Sequence, residues 1–361
     1  MNWLYDHLRV LPRYTPVVFC DTLANRQEFP ELDVRASDQD DLGRRIWRRL
    51  LGPRLHPSDR IWLKRVASRV LHSHFGYVAA NDLHLVEALR VPWLVSFYGA
   101  DLYELGHQDE WRRRYAAVFQ RATKVLALGP VMAARLVDLG CPPMKVAVHV
   151  LGVDIAGLPV AARSLQPGEA LRLLFAGTFR EKKGIEYLVR GAAQARKSGV
   201  RLELTLVGSP MGKPGDRETE QSVSRLIGEL GINDIVTRHA FLPFTQLLEL
   251  ALRSHIFVAP SVTAADGDAE GTPFVLQQMM ATGMPIVATK HSDISFLLGD
   301  LARTLVPERN VDAIANRIQA FWRDPAALVT EGESLRQRMR EHFDGRLCAE
   351  RLAQLYDTLT I

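Results

Sequence analysis

A stretch in the second half of the chain combines an acidic loop with the predicted start of a helix. It runs from Ala265 to Phe274. Thr272 has the residue type of a helix N-cap, and Pro273 suits the first helical position because its missing N–H leaves no bond unmade there. The free backbone N–H groups of such a helix start attract anions. The adjacent carboxylate of Glu270 accepts hydrogen bonds from hydroxyls. An anion site beside a hydroxyl acceptor is what a sugar diphosphate requires.

A second loop, rich in basic residues, follows another predicted strand. Residues 171–176 are an apolar run typical of a buried strand, and residues 177–184 contain Lys182 and Lys183 between glycines. A helix is predicted to begin near Ile185. A strand, a basic glycine-containing loop and a helix start together indicate a phosphate site. The alternative is that both lysines are ordinary surface residues.

Short apolar strands alternate with amphipathic helices along the chain, which predicts an α/β fold. Strands are predicted at residues 16–20, 70–75, 93–97, 124–129, 145–150, 171–176, 202–207, 235–242, 256–259 and 286–289. Gly283 ends the helix that starts after the acidic loop. We expect the acidic loop and the basic loop to face a shared crevice.

The composition indicates a soluble globular protein and argues against a disulfide-rich or membrane-spanning one. The 361 residues suggest about two domains, and 47% hydrophobic with 24% charged residues is ordinary for a soluble globular protein. The three cysteines, Cys20, Cys141 and Cys348, are too few and too widely spaced for a disulfide framework or a metal site, so a cytoplasmic location is expected. No apolar run approaches the roughly 18–20 residues that span a bilayer, and the start does not have the pattern of a signal peptide.

Residues 44–69 carry a run of basic side chains. They are Arg44, Arg45, Arg48, Arg49, Arg54, Arg60, Lys64, Arg65 and Arg69, against the single acidic residue Asp59. Trp47 and Trp62 lie between them. One interpretation is a solvated helical face with its aliphatic residues packed inward. The other is a patch that contacts an anionic membrane surface. Nucleic acid is a weaker partner, because no nucleic-acid-binding motif accompanies the charge.

The acidic stretch resembles the donor-binding signature of the family 4 retaining glycosyltransferases, which use nucleotide sugars and have the GT-B fold. That signature runs Glu-Gly-x-Pro, then four residues and a second Glu, then Ala-Met-Ala-x-Gly-x-Pro-Val-Val-Ala-Thr. This chain has Glu270-Gly271-Thr272-Pro273 and then residues 280–289, Met-Ala-Thr-Gly-Met-Pro-Ile-Val-Ala-Thr. It departs from the signature at Gln278, which stands where the second Glu is found.

The resemblance implies two Rossmann-like domains that face each other across a cleft. We expect an acceptor-side domain at residues 1–154, a linker at 155–170, a nucleotide-sugar-binding domain at 171–340, and a final helix at 341–361 that returns to the first domain. Family members carry a strand and a glycine-bearing turn before the segment similar to residues 3–20. The first domain is therefore expected to lack its initial strand.

The resemblance also implies roles on the donor side. Lys183 corresponds to the lysine that contacts the donor diphosphate. Thr178 stands where the family has an arginine, so we expect Arg180 to supply that charge. Glu270 is expected to bind sugar hydroxyls, and Gln278 a ribose hydroxyl. Arg180, Lys183 and Glu270 are thus the candidate catalytic residues. The other candidate donor-binding residues are Gly177, Gly271, Thr272, Pro273, Phe274 and Val275.

On the acceptor side the resemblance points to two loops. Family members often have a motif similar to His72-x-His74-Phe-Gly at the floor of the acceptor cleft, and both histidines have a structural role as their alternative. Tyr98 stands where the family often has a histidine; a tyrosine hydroxyl donates and accepts hydrogen bonds but is no base near neutral pH. Asp101 is expected to orient Tyr98 or an acceptor hydroxyl, or to cap a helix.

The activity that follows is transfer of a sugar from a nucleotide diphosphate sugar to an acceptor hydroxyl, with retention and without a metal or other cofactor. The expected product is a cell-surface polysaccharide or glycolipid. Two alternatives stay open. One is a catalytically impaired subunit that binds nucleotide sugars, which is compatible with Thr178, Tyr98, Gln278 and the absent strand. A dinucleotide-dependent oxidoreductase would need the Gly-x-Gly-x-x-Gly turn that the chain does not have.

Overall fold

The chain folds into two compact units. The computed structural model describes residues 2–20, 22–23, 27, 30, 32–36, 56–213 and 215–360. The first unit comprises Met1–Gly152 together with Gly345–Ile361, and the second comprises Val153–Asp344. Residues 44–55 of the predicted basic stretch lie outside the described residues. Within the described part of the chain, no helix is both long and apolar enough to cross a bilayer.

The first unit combines parallel β-strands, arranged in two sheets, with helices. Its strands are β1 (Val17–Cys20), β2 (Asp33–Ala36), β3 (Leu71–His74), β4 (Trp93–Ser96), β5 (Lys124–Ala127) and β6 (Val146–Val148). Its helices are α1 (Asn2–Arg9), α2 (Pro57–Val66), α3 (Gly76–Asn81), α4 (Leu83–Leu89), α5 (Ala100–Tyr103), α6 (Asp109–Arg121), α7 (Pro130–Asp138) and α15 (Gly345–Leu359). Short 3-10 turns occur at Leu105–His107 and Pro143–Lys145.

In the first unit, β3, β4, β5 and β6 pair in that order, all parallel, while β1 and β2 form a separate parallel pair. All four residues of β4 are buried. This burial explains why Trp93 to Val95 is a continuous apolar run rather than an alternating one, since a central parallel strand is covered on both faces.

Helix α15 belongs to the first unit although it is the last element of the chain. Leu352 and Tyr356 of α15 pack against Leu94 and Leu126 of the sheet. The Tyr14 hydroxyl donates to a carboxylate oxygen of Asp357 at 2.8 Å. The apolar residues of the helix recur at 4-3-4 spacing because they form the face that packs on this sheet.

The second unit has a five-stranded parallel sheet. Its strands are β7 (Leu171–Ala176), β8 (Leu202–Val207), β9 (Val236–His239), β10 (Ile256–Ala259) and β11 (Ile286–Ala288). Its helices are α8 (Ile185–Lys197), α9 (Asp216–Glu229), α10 (Phe244–Arg253), α11 (Phe274–Ala281), α12 (Ile294–Leu298), α13 (Val311–Arg323) and α14 (Ala326–His342). Two 3-10 segments span Glu181–Lys183 and Gly299–Thr304.

The strand order of this sheet is β11-β10-β7-β8-β9. Its core is formed largely by the inward faces of α8 and α13 against the strands, and Phe179, Ile314 and Phe321 are fully buried in it. The segment 155–170 lies within the second unit. There Arg163 is buried and donates to the carbonyl oxygens of Ala251 and Ser254 at 2.6 and 2.8 Å.

Candidate functional site

The strand order of the second unit reverses between β7 and β10. From β7 the chain adds β8 and β9 on one side, and β10 and β11 lie on the other. Such a switch point leaves a crevice outside the carboxyl ends of parallel strands, where ligands of α/β proteins bind. Residues 177–184 directly follow β7, and residues 260–273 directly follow β10. The topology therefore brings the basic loop and the acidic loop to the same edge of the sheet.

Gly184 allows the two loops to touch. Its backbone has φ +62°, and a Cβ there would lie 1.9 Å from the carbonyl oxygen of Pro260. Only glycine accepts both the left-handed backbone and this approach. The Val262 N–H then donates to the Lys182 carbonyl at 2.9 Å. The 3-10 turn Glu181–Lys183 is thereby fixed against the acidic loop.

The two lysines of the turn both reach Glu270. Lys183 Nζ lies 3.1 Å from Glu270 Oε1, and Lys182 Nζ lies 3.4 Å from the same oxygen. Lys182 Nζ also donates to Asp268 Oδ1 at 3.0 Å and to the Ala269 carbonyl at 3.2 Å. Lys183, the predicted diphosphate ligand, and Glu270, the predicted hydroxyl acceptor, are thus direct neighbours.

Arg180 is also held by carboxylates. Its Nη2 lies 2.7 Å from Asp268 Oδ2, and its Nε lies 3.7 Å from Asp216 Oδ1. The ion pairs form one chain of alternating sign, which we call the charge chain: Asp216, Arg180, Asp268, Lys182, Glu270 and Lys183. Its six charges sum to zero, so a buried cluster of ions is balanced before any ligand arrives.

The charge chain keeps Glu270 ionised. Burial by itself would raise the pKa of this carboxyl, but Lys182 and Lys183 outweigh burial and lower the pKa to about 2. For Lys182, burial lowers the pKa, and the neighbouring Glu270 and Asp268 more than reverse that effect. Lys182 is 8% exposed and Glu270 is 7% exposed. Glu270 is therefore an anionic acceptor for hydrogen bonds throughout the neutral pH range.

The predicted start of α11 was wrong by one residue. Pro273 is the N-cap, with φ −58° and ψ 122°, and Phe274 is the first helical residue. Because its ψ is extended, Pro273 cannot be part of the first helical turn, so the helix begins one residue later. Thr272 therefore precedes the cap, and its hydroxyl has no hydrogen-bond partner within the described residues. Gln277 points into the core at 1% exposure, whereas Gln278 is partly exposed.

Lys183 and the start of α11 share a small pocket at the switch point. The side chains that line it are Phe175, Ala176, Lys183, Phe257, Val258, Ala259, Ser261, Pro273, Val275 and Leu276. Gly271 and Thr272 are buried beside Pro273, while Phe274 and Val275 remain partly exposed. Lys183 and residues 271–275 therefore lie on the same side of the second unit, as the shared-crevice expectation requires.

Gly177 and Thr178 form the first turn after β7. The Gly177 N–H donates to the Val207 carbonyl at 3.0 Å, and the Arg180 N–H donates to the Thr178 carbonyl at 2.9 Å. Gly208 directly follows the next strand, β8, and there φ is +147° and a Cβ would lie 1.8 Å from the Gly177 carbonyl oxygen. Thr178 thus shapes the turn from which Arg180 reaches Asp268.

The predicted acceptor-side residues lie together in the first unit. His72 bonds through Nδ1 to the Tyr356 hydroxyl at 2.6 Å and through Nε2 to the Ser96 hydroxyl at 2.8 Å. His74 Nδ1 lies 2.6 Å from the Tyr98 hydroxyl, and the two histidine rings stack with centroids 4.3 Å apart. Burial raises the pKa of Tyr98, so its hydroxyl keeps its proton.

Asp101 is fully buried and binds backbone rather than solvent. One carboxylate oxygen accepts the N–H groups of Tyr98 and Gly99, both at 2.9 Å, and the other accepts the Gly76 N–H at 2.8 Å. Asp101 therefore orients the loops after β3 and β4 through their backbones. We call this arrangement the Asp101 clamp.

Comparison with known proteins places the chain in a family. Residues 161–342, half of the chain, match the family model described as glycosyl transferases group 1. The putative colanic acid biosynthesis glycosyltransferase WcaL of Escherichia coli K12 is 30% identical over 298 residues, which cover 80% of this chain and 70% of WcaL. The chain belongs to the group 1 glycosyltransferases. The amylovoran biosynthesis glycosyltransferase AmsK of Erwinia amylovora is 28% identical to this glycosyltransferase over 82% of this chain and 72% of AmsK.

Solved structures support the fold of this group 1 glycosyltransferase. Anabaena HepE in complex with UDP matches with a TM-score of 0.78 at 16% identity, over 99% of this chain and 96% of HepE. Sucrose-phosphate synthase of Thermosynechococcus elongatus matches with a TM-score of 0.70 at 22% identity, over 83% and 76% of the two chains. These neighbours are GT-B glycosyltransferases, and both larger sheets of this chain are parallel. The predicted fold class is confirmed, and so is the prediction of a glycosyltransferase.

Three residues of the glycosyltransferase with roles in these networks, Asp216, Asp268 and His291, were not predicted. Asp216 and Asp268 hold Arg180, and His291 contacts the backbone of Glu270, whose N–H donates to its Nε2 at 2.9 Å. Lys182 was noticed only together with Lys183. A usable signal existed for His291, because it lies just beyond β11 at the same sheet edge as the two loops. Among the described residues, no group of three or more His, Cys, Asp or Glu side chains is arranged to hold a metal ion.

The first unit of the glycosyltransferase contains a histidine cluster of His7, His72, His74 and His149. The rings of His7 and His149 lie 5.3 Å apart. Burial lowers the pKa of His7 to about 4, and burial with the nearby His7 lowers the pKa of His74 and of His149 to about 3. Burial and the neighbouring histidines also hold the pKa of His72 well below its ordinary value.

We expect the first unit to lose stability as the pH falls from about 6.5 towards about 4. In this window the unfolded chain binds protons that the folded cluster does not, so each histidine removes about 1.4 kcal/mol per pH unit. The measurement is the urea midpoint, followed by tryptophan fluorescence, because Trp322 is the one tryptophan that the sequence places in the second unit. His7→Phe should flatten the pH dependence, and the change His342→Gln at a half-exposed histidine should not. A midpoint constant between about pH 7 and pH 5 would contradict this expectation.

Proposed function

We propose that this glycosyltransferase transfers a sugar from a nucleotide diphosphate sugar to an acceptor hydroxyl with retention of the anomeric configuration. The observation that carries the proposal is the pairing of Lys183 Nζ with Glu270 Oε1 at 3.1 Å at the switch point of the second unit. A cation for the phosphates thereby lies next to an ionised acceptor for sugar hydroxyls. HepE, a structural neighbour, has been solved with UDP and with UDP-glucose, which supports this class of donor.

The proposed step develops negative charge on the departing diphosphate and positive charge on the sugar ring. Lys183 and the backbone N–H groups from Gly271 to Val275 would stabilise the leaving group as its charge grows. Arg180 would join them by exchanging its contact with Asp268 for a phosphate oxygen. Glu270 would hold the sugar hydroxyls, and Gln278 a ribose hydroxyl without adding charge. We propose no metal or other cofactor, since these side chains supply the positive charge themselves.

We further propose that the product is a cell-surface polysaccharide. The support is the similarity to WcaL and AmsK, whose names assign them to colanic acid and amylovoran biosynthesis. His72, His74 and Tyr98 of the first unit would then bind the acceptor, with Asp101 fixing the loops that carry them. Their hydroxyl and imidazole groups suit a ligand rich in hydroxyls.

The proposal is tested by offering the purified protein a panel of UDP-sugars and GDP-sugars with a hydroxylated acceptor. We expect release of the nucleoside diphosphate from at least one donor, and a product that NMR shows to have the donor's anomeric configuration. Inversion would exclude the retaining mechanism. Tight donor binding without any turnover would favour the alternative of a catalytically impaired subunit, for which the neutral Gln278 is the supporting observation.

A membrane contact is proposed for the outer face of α2. Ile61 is 57% exposed there, and the exposed side chains of Arg60, Lys64 and Arg65 surround it. Cations around an exposed aliphatic side chain suit the headgroups and upper acyl region of an anionic leaflet. We place this contact at the cytoplasmic face, in keeping with the three free cysteines.

Binding to phosphatidylglycerol vesicles should weaken when these three α2 cations are replaced with alanine. Each cation near an anionic leaflet contributes about 1 kcal/mol, so the triple variant should bind about a hundredfold less tightly. The matched control removes the same charge from exposed positions of the second unit, Arg190, Lys197 and Arg225. Sedimentation with vesicles measures both. Equal losses in the two triple variants would show a nonspecific effect of net charge and would remove the assignment to α2.

A further inference from the structure

The backbone of Glu270 is held by a histidine from another loop. The Glu270 N–H donates to Nε2 of His291 at 2.9 Å, and Nδ1 of the same ring lies 2.6 Å from Glu308 Oε1. His291 is 2% exposed. Because Nε2 accepts a backbone N–H, it carries no proton, and the ring proton must be on Nδ1. Nδ1 therefore donates to the carboxylate, which fixes the tautomer of His291.

Glu308 also connects this histidine to the loop after β10. Its second oxygen, Oε2, accepts the Thr263 N–H at 2.9 Å. Ahead of His291, the Lys290 N–H donates to the Val306 carbonyl at 2.7 Å. Three segments at the carboxyl edge of the sheet are thus joined through two side chains. We call the series Thr263, Glu308, His291 and Glu270 the histidine relay.

The charge chain alone does not determine where the Glu270 carboxylate sits. Lys182 and Lys183 both contact Oε1 of the carboxylate, at 3.4 and 3.1 Å. If the backbone of Glu270 were free to shift, the carboxylate could move and still keep an ion pair with either lysine. The histidine relay holds the backbone of Glu270 itself, through a bond that needs an unprotonated Nε2 as its acceptor.

We infer that His291 is a positioning residue for glycosyl transfer, which sets Glu270 against the sugar hydroxyls, and that Glu308 positions His291. The inference rests on the proposed function, because it assigns a purpose to the carboxylate that the donor sugar would meet. If the relay is broken, we expect the Glu270 carboxylate to keep its charge but to lose its position. A misplacement of about 1 Å at a reacting centre costs about a hundredfold in rate.

The experiment compares His291→Ala, His291→Gln and Glu308→Ala with the control His342→Gln at a half-exposed histidine of the same unit. The first readout is hydrogen–deuterium exchange of the peptide that contains Glu270, which needs no substrate. The second is kcat and KM for the donor. We expect at least tenfold faster exchange in His291→Ala and a fall in kcat/KM of about 10-fold to 100-fold, mostly in kcat. We expect Glu308→Ala to lie between this variant and the wild type.

Rescue by glutamine separates positioning from simple packing. A glutamine amide can accept the Glu270 N–H with its oxygen and donate to Glu308 with its nitrogen, so His291→Gln should recover most of the lost kcat. Unchanged exchange and unchanged kcat in both His291→Ala and Glu308→Ala would overturn the inference. If His291→Ala does not fold, wild-type exchange in Glu308→Ala overturns it equally. Should the wild type turn over no nucleotide sugar, the proposed function fails, and the exchange readout still decides the relay.

Discussion

Replacing Lys183 with alanine is expected to slow glycosyl transfer by about a hundredfold or more with little change in stability. The side chain ends the charge chain, and its ion-pair partner there, Glu270, retains Lys182 at 3.4 Å in the variant. Loss of one preorganised contact to the developing charge of a leaving group typically costs about 3 kcal/mol of transition-state stabilisation. The decrease should therefore be seen mainly in kcat.

The same substitution at Lys182 is expected to have the opposite profile. Lys182 is 8% exposed and lies between Asp268 and Glu270, at 3.0 and 3.4 Å. Removing one partner from a buried ion pair leaves uncompensated charge and costs about 3–5 kcal/mol of stability. Lys182→Ala should unfold at a much lower temperature, and the enzyme that remains folded should also be slower because Glu270 moves.

Two measurements on the two variants test this contrast. Thermal unfolding followed by circular dichroism reports stability, and release of the nucleoside diphosphate reports transfer. Lys197→Ala, an exposed lysine on α8, is the control for loss of one positive charge from the second unit. A Lys183→Ala enzyme with wild-type kcat would remove Lys183 from the proposed mechanism. Equal unfolding temperatures for Lys182→Ala and the wild type would show that the charge chain does not stabilise the fold.

The adjacency of Lys183 and Glu270 could be predicted from sequence because it follows from topology. Each residue comes just after a strand recognisable by its apolar run, and the carboxyl ends of parallel strands lie at one edge. It could not be predicted that Lys182 would be buried and Lys183 partly exposed. Which of two successive lysines turns inward depends on the 3-10 turn Glu181–Lys183, and that turn is set by the approach of Gly184 to Pro260.

Contacts between segments far apart in the chain were the hardest to foresee. His7 lies on α1 and His149 follows β6, so nothing local relates them. Likewise, His291 and Glu270 are separated by a helix and a strand. Strand β2 escaped prediction because Asp33–Ala36 is short and contains two charged residues. The start of α11 was misplaced by one residue because Thr-Pro suits both positions of a helix start equally well.

Asp101→Ala is expected to destabilise the first unit by about 3 kcal/mol or more. The change leaves the N–H groups of Gly76, Tyr98 and Gly99 without the carboxylate that accepts them. Each buried donor left without a partner costs about 1–3 kcal/mol. The neighbouring Phe75 adds to this cost, because its φ of +73° is a strained conformation for a bulky side chain and persists only while the surrounding bonds hold it.

Asp101→Asn is the more specific test, because asparagine keeps the side-chain shape of aspartate and has one acceptor oxygen fewer. Its amide oxygen can serve the Tyr98 and Gly99 N–H groups, but its NH2 group would then face the Gly76 N–H, donor against donor. We therefore expect asparagine to recover less than half of the stability lost with alanine. Urea unfolding followed by tryptophan fluorescence measures both variants, and Asp138→Ala on the exposed face of α7 is the control. If Asp101→Asn were as stable as the wild type, the Gly76 contact would contribute nothing, and the clamp would reduce to a local turn between Tyr98 and Asp101.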